Sequence, residues 1–150
     1  MPDKVIHQAA ELMRDQAVAY QKLVLLTEQL TSALVCGDLH QIESLTRAGQ
    51  SELLRLRSRL AQTTAILSQF AASRQSAPDR ASISQEARTE FESASDEVLR
   101  QARLFQRSRG RAAALAMNGV AYAGACIEMC GVKPTTYGAP YVRPGGGKWL

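Results

Sequence analysis

From Leu39 to Phe70, apolar or small residues return in steps of three and four without a miss: Leu39, Ile42, Thr46, Gly49, Leu53, Leu56, Leu60, Thr63, Leu67 and Phe70. A strand would alternate at every second residue, so this rhythm admits a helix and excludes a strand. A stripe of that length also needs another helix lying along it. Leu45, Leu54 and Ile66 widen the stripe beyond a two-helix seam and predict a third helix on that side.

The same rhythm runs upstream through Val5, Ala9, Leu12, Ala19, Leu23, Leu26, Leu30 and Ala33, which predicts a helix over about 3–35. Cys36-Gly37-Asp38 interrupts it. Gly37 suits a left-handed C-terminal cap and Asp38 suits the N-cap of the next helix, predicted over about 38–72. So short a connection makes the two helices antiparallel neighbours.

From Ser73 to Ser84 the chain reads SRQSAPDRASIS, a composition of turn and loop residues. Ser84 then offers a cap and an acidic first turn for a third helix over about 84–130, with Gly131 to end it. Phe91, Ser95, Val98, Ala102 and Phe105 are its expected core line. At about 1.5 Å per residue, the first two helices reach roughly 50 Å and the third roughly 70 Å. The third must therefore overhang, bend or break, and Gly110 is the expected bend.

The fold class is all-α: an antiparallel long-helix bundle of three main helices, coiled-coil-like, over 1–132. An extended Pro/Gly-rich C-terminal tail, flexible by composition, follows over 133–150. Composition agrees, since 45% of residues are hydrophobic but only 5% are aromatic. A core of Leu and Ala favours closely packed helices over a sheet.

Little in the chain points to catalysis. His7 and His40 both fall near helix starts and meet no evident partners, and no phosphate-loop, dinucleotide or nucleophile-elbow motif is present. Cys126 and Cys130 share a helical face but lack further ligands, so they read as two small buried residues. The expectation is no enzyme, no cofactor and no metal. Three cysteines without framework spacing predict a reducing, cytoplasmic location. Wholly apolar runs are only a few residues long, which predicts a soluble chain with no membrane insertion.

Two features remain. The charge is uneven: residues 74–99 hold three basic and six acidic residues, whereas 100–150 hold eight basic and one acidic. Arg100, Arg103, Arg107 and Arg111 step by three and four, making a basic stripe for an acidic partner, with the acidic stretch 86–97 of a neighbouring molecule as one candidate. The stripe lacks interleaved aromatics and a groove-reading motif, which argues against nucleic acid. Beyond Gly110 the sequence turns small and apolar, AAALAMNGVAYAGACIEMC, on all sides of the helix. Such a helix is either buried or covered by a partner.

The run from Leu23 to Leu60, LVLLTEQLTSALVCGDLHQIESLTRAGQSELLRLRSRL, resembles the flagellar type III export chaperone family (FlgN-like). Asn118-Gly119 and Tyr137-Gly138 also look like that family. The resemblance implies a cytoplasmic chaperone without a nucleotide site. It would bind the C-terminal helical segment of flagellar hook-associated proteins, prevent premature assembly and deliver them to the export apparatus. It implies a substrate surface at Leu115, Val120, Ile127 and Met129, and a gate-docking tyrosine among Tyr122, Tyr137 and Tyr141. The Gly/Pro-rich ending and the arginine stripe depart from the family. The alternatives are a structural or adaptor coiled coil that forms a homo-oligomer, and a nucleic-acid-associated helical protein.

Overall fold

The computed structural model describes residues 2–76 and 82–131, and these form three long helices: α1 (Pro2–Cys36), α2 (Leu39–Ser76) and α3 (Gln85–Met129). No strand occurs among the described residues. The expected all-α class of packed helices is what the chain adopts. It divides into two compact units, Met1–Leu115 and Ala116–Leu150.

The α1–α2 turn forms as its residues dictate. Gly37 takes φ +70°, and the Gly37 and Asp38 amides donate to the Leu34 and Ala33 carbonyls at 3.4 and 3.1 Å. This closes α1 with a glycine cap that another residue would strain. The Asp38 carboxylate then accepts the Gln41 amide at 3.1 Å and opens α2. α2 runs four residues past its expected end at 72. Nothing in 73–76 stops a helix, and the Ser73 and Ser76 hydroxyls bond back to the Phe70 and Ala72 carbonyls. The next proline in the sequence is Pro78.

Cross-helix bonds set the directions. Leu23 packs with Leu56 while, further back along α1, the Gln16 side chain donates to Thr63 Oγ1 at 2.7 Å, so residue numbers fall along α1 as they rise along α2 and the two helices are antiparallel. Asp3 accepts the Ser84 amide at 3.0 Å, Glu90 pairs with His7 and Arg14, and the Tyr20 and Phe105 rings lie 6.0 Å apart. Residue numbers rise together along both helices in these contacts, so the first part of α3 lies parallel to α1. His7 is thus a partly buried hydrogen-bond partner of Glu90 rather than a bare surface residue.

The core is thin and small-grained. Ala19, Leu23 and Leu56 form its centre, flanked by Tyr20 and Phe105, and Leu23 is the one large side chain wholly withdrawn from solvent among the described residues. Alanines 9, 10, 17, 33, 87, 94 and 112 line much of the rest. Small residues let helix axes approach closely, which gains dispersion contact without bulky side chains.

Two sequence expectations shift here. The deepest line of α3 is Ala87, Ala94, Gln101 and Ser108, spaced by sevens, and the expected line through Phe91, Val98 and Phe105 is its half-buried flank. The innermost positions have room only for small or slender side chains, so the bulky ones sit to one side. On α2, Leu56 and Thr63 are buried, but Leu39, Leu53, Leu54 and Leu60 are exposed, so the third helix predicted beside Leu54 does not cover it. Gly49 likewise serves no close approach, since a β-carbon there would meet nothing within 4 Å.

Candidate protein-binding surface

α3 continues through Gly110 as one helix without a break. Ala112 is its last buried residue. Leu115, the end of the first unit, is already exposed.

In the second unit α3 carries large apolar side chains in solvent: Met117, Val120, Tyr122, Ile127 and Met129, from 40% exposed at Ile127 to 87% at Met129. Soluble surfaces carry scattered apolar residues as a matter of course, but five large ones exposed within thirteen positions of one helix is a dense concentration. Gly131 ends the segment at φ +77°, its amide donating to the Glu128 carbonyl at 3.0 Å. Gly119 and Gly124 have open space where a side chain would sit.

The four expected substrate anchors do not share one face. Val120 and Ile127 are seven residues apart and lie on one line of the helix. Tyr122 and Met129, also seven apart, lie roughly opposite, given 3.6 residues per turn. One guest helix would cover one of these lines; covering both takes two helices or a wrapping partner. Among the docking tyrosines, Tyr122 is exposed, and Tyr137 and Tyr141 lie outside the described residues, as does the tail over 133–150. Cys126 is half-buried and Cys130 exposed, so the pair does not form the buried couple expected.

By length and composition α3 also holds an 18-residue window apolar enough to cross a membrane, almost none of it buried. The stretch 112–129 has Glu128 as its one charged residue. Its longest wholly apolar run, 112–117, is six residues, which is why run length alone does not reveal it.

The arginines of α3 are not equivalent. Arg100 is held by Glu97 through two hydrogen bonds, Nε to Oε2 at 3.0 Å and Nη2 to Oε1 at 2.7 Å. Those bonds, with a lesser one from Gln101, hold the Glu97 carboxyl below its usual range and raise the Arg100 guanidinium. Arg103, Arg107 and Arg111 pair with no carboxylate among the described residues.

At the other end of α3, the Arg14 guanidinium and then His7 hold the Glu90 carboxyl below its ordinary value. The Ser84 amide does the same for Asp3. The Ser84 hydroxyl in turn accepts the Ala87 amide at 3.2 Å, the expected cap. These groups tie α1 to the start of α3; no group of three or more His, Cys, Asp or Glu among the described residues is placed to hold a metal.

Set against known protein families, curated proteins and solved structures, the chain matches none.

Proposed function

We propose that this chain is a helix-binding chaperone, which shields an apolar helical segment of a partner protein through the last part of α3. The observation that carries this reading is the cluster of exposed Met117, Val120, Tyr122, Ile127 and Met129. An apolar helix surface in water gains free energy when covered, at roughly 25 cal/mol per Å² of apolar area. Methionine and small residues can adapt to a guest helix without demanding one partner shape. The task asked of the surface is binding, not bond-making chemistry.

The FlgN-like resemblance of Leu23 to Leu60 supplies the identity of the guest: the C-terminal helical segment of a flagellar hook-associated protein, held in the cytoplasm until export. Leu115, Val120, Ile127 and Met129 are the proposed anchors, and Tyr122 the proposed docking tyrosine among the described residues. A contact of about 800 Å² per partner would give a specific yet reversible grip.

The test is calorimetric titration of the full chain with a synthetic peptide of that terminal segment. We expect micromolar binding, on the order of −8 kcal/mol. Val120→Asp and Ile127→Asp should weaken it at least about tenfold, with unchanged helix content, because a buried unpaired carboxylate opposes contact. Tyr122→Asp and Met129→Asp report on the opposite line of the helix. Unchanged affinity in all four variants ends the reading.

The membrane-length window in α3 favours a second reading, in which 112–129 sits in a lipid bilayer. Flotation of the full chain with phosphatidylcholine vesicles tests it. Co-flotation that Val120→Asp abolishes supports the membrane, and its absence together with peptide binding supports the chaperone.

A further inference from the structure

The outward face of the first part of α3 has a pattern that partner capture by residues 116–129 does not use. Directly across the helix from the buried line Ala87, Ala94, Gln101 and Ser108 runs an exposed stripe in steps of three and four: Glu92, Asp96, Leu99, Arg103 and Arg107. Leu99, half exposed, sits at its centre, with two acids before it and two arginines after it. Shallow open grooves continue along this face, one lined by Asp96, Leu99, Arg100, Arg103, Leu104 and Arg107.

Within one molecule this stripe is poorly arranged. Glu92 and Asp96 are four apart and alike in charge, as are Arg103 and Arg107, and such pairs disfavour a helix. None of the four forms an ion pair among the described residues. Arg100, the neighbour that could serve Asp96, is engaged by Glu97.

A second copy of the same stripe, run antiparallel, answers every one of these charges. In the register that sets Asp96 opposite Arg103, Glu92 falls opposite Arg107, and Leu99 meets its counterpart beside the two-fold axis. Thr89 then faces Gly110, so the ends of the stripe meet with a small residue on one side. A parallel pair would instead set acid against acid and arginine against arginine. A two-fold interface must be self-complementary, and this stripe is so in one direction only.

We propose that the α3 stripe is a homodimer interface, two copies of this chain joined antiparallel about Leu99. The interface is narrow and its ion pairs lie near water, so the dimer is weak and sensitive to salt. It is independent of the chaperone surface, because the stripe ends before Leu115.

Sedimentation equilibrium of the full chain, over a range of concentrations at low and high salt, tests this. Self-association is expected at low salt and declines as salt rises. Arg103→Glu with Arg107→Glu makes the stripe wholly acidic, and Glu92→Arg with Asp96→Arg makes it wholly basic. Each double variant, with helix content checked by circular dichroism, is expected to lose association at least about tenfold. An equimolar mixture of the two is expected to regain it as a heterodimer, which a merely structural role for these residues would not produce. In a cysteine-free background, Thr89→Cys is expected to cross-link to Gly110→Cys when the two are mixed, and neither to itself.

A chain that stays monomeric at high concentration and low salt overturns the proposal. So does a dimer that ignores both charge reversals, or a mixture that fails to recover while both variants remain folded. Cross-linking of each cysteine variant to itself overturns the antiparallel register.

Discussion

One helix, α3, behaves in two ways. In the unit Met1–Leu115 its innermost positions are alanine, glutamine and serine, withdrawn from water every seventh residue, and the face opposite them carries charge. In the unit Ala116–Leu150 its described positions are again rich in alanine and glycine, yet the large apolar side chains stand in solvent. Small residues thus serve two ends. Where neighbouring helices exist they permit close packing; where none is recorded against the apolar positions they leave a bare surface. Helix formation does not require burial of every apolar residue, and α3 persists through both regimes.

The sharpest way to break this contrast is through the first unit's thin core. Leu23→Ala removes the one fully buried large side chain among its described residues, and a loss of about 3 kcal/mol is expected in urea unfolding. A loss below about 1 kcal/mol would mean that the alanine-lined helices hold together without this centre.

Next in size is the buried polar contact. Thr63→Val strips the Gln16 amide of its acceptor while nearly preserving shape, and should cost about 1–3 kcal/mol. Gln16→Leu combined with Thr63→Val should recover part of that loss, because no buried group is then left unpaired.

A smaller effect is expected at the opposite pole. Gly119→Ala and Gly124→Ala fill open space on an exposed helix and should stabilise it by about 0.5–1 kcal/mol each. Slower amide exchange across 116–129 is the measurement. Unchanged exchange would show that backbone entropy does not govern that segment.

The pH dependence sharpens the first unit again. Asp3 and Glu90 titrate below their ordinary values when folded, through the Ser84 amide and the Arg14 and His7 side chains respectively. Their stabilisation is complete above the normal carboxylate range and disappears as pH falls through the folded values. Asp3→Asn with Glu90→Gln should therefore flatten the drop in melting temperature between about pH 5 and about pH 3. An unchanged slope would assign the acid sensitivity to other groups. Smallest of all, Val120→Asp should alter stability by less than about 0.5 kcal/mol, since the residue it replaces already faces water.

Much of the fold was legible along the chain. The heptad-like rhythm, the Gly37-Asp38 turn and the Ser84 cap predicted three helices, and the first two lie antiparallel as the short turn requires. These features are local: periodicity, capping and left-handed glycine act within a turn or two. The apolar character of Val120, Tyr122, Ile127 and Met129 was equally plain, because composition is visible without coordinates.

What only the tertiary structure decided was which face of each helix counts. Leu53 and Leu60 obey the same three-and-four rhythm as Leu56, yet Leu56 is buried and they are not. Glu90 has no cation three or four residues away on its own helix, and only the packing of α1 brings His7 and Arg14 to it. Sequence spacing determines that a stripe exists. Which stripe turns inward depends on the azimuth at which helices meet, and that is settled jointly by packing volumes and cross-helix bonds among residues far apart in the chain.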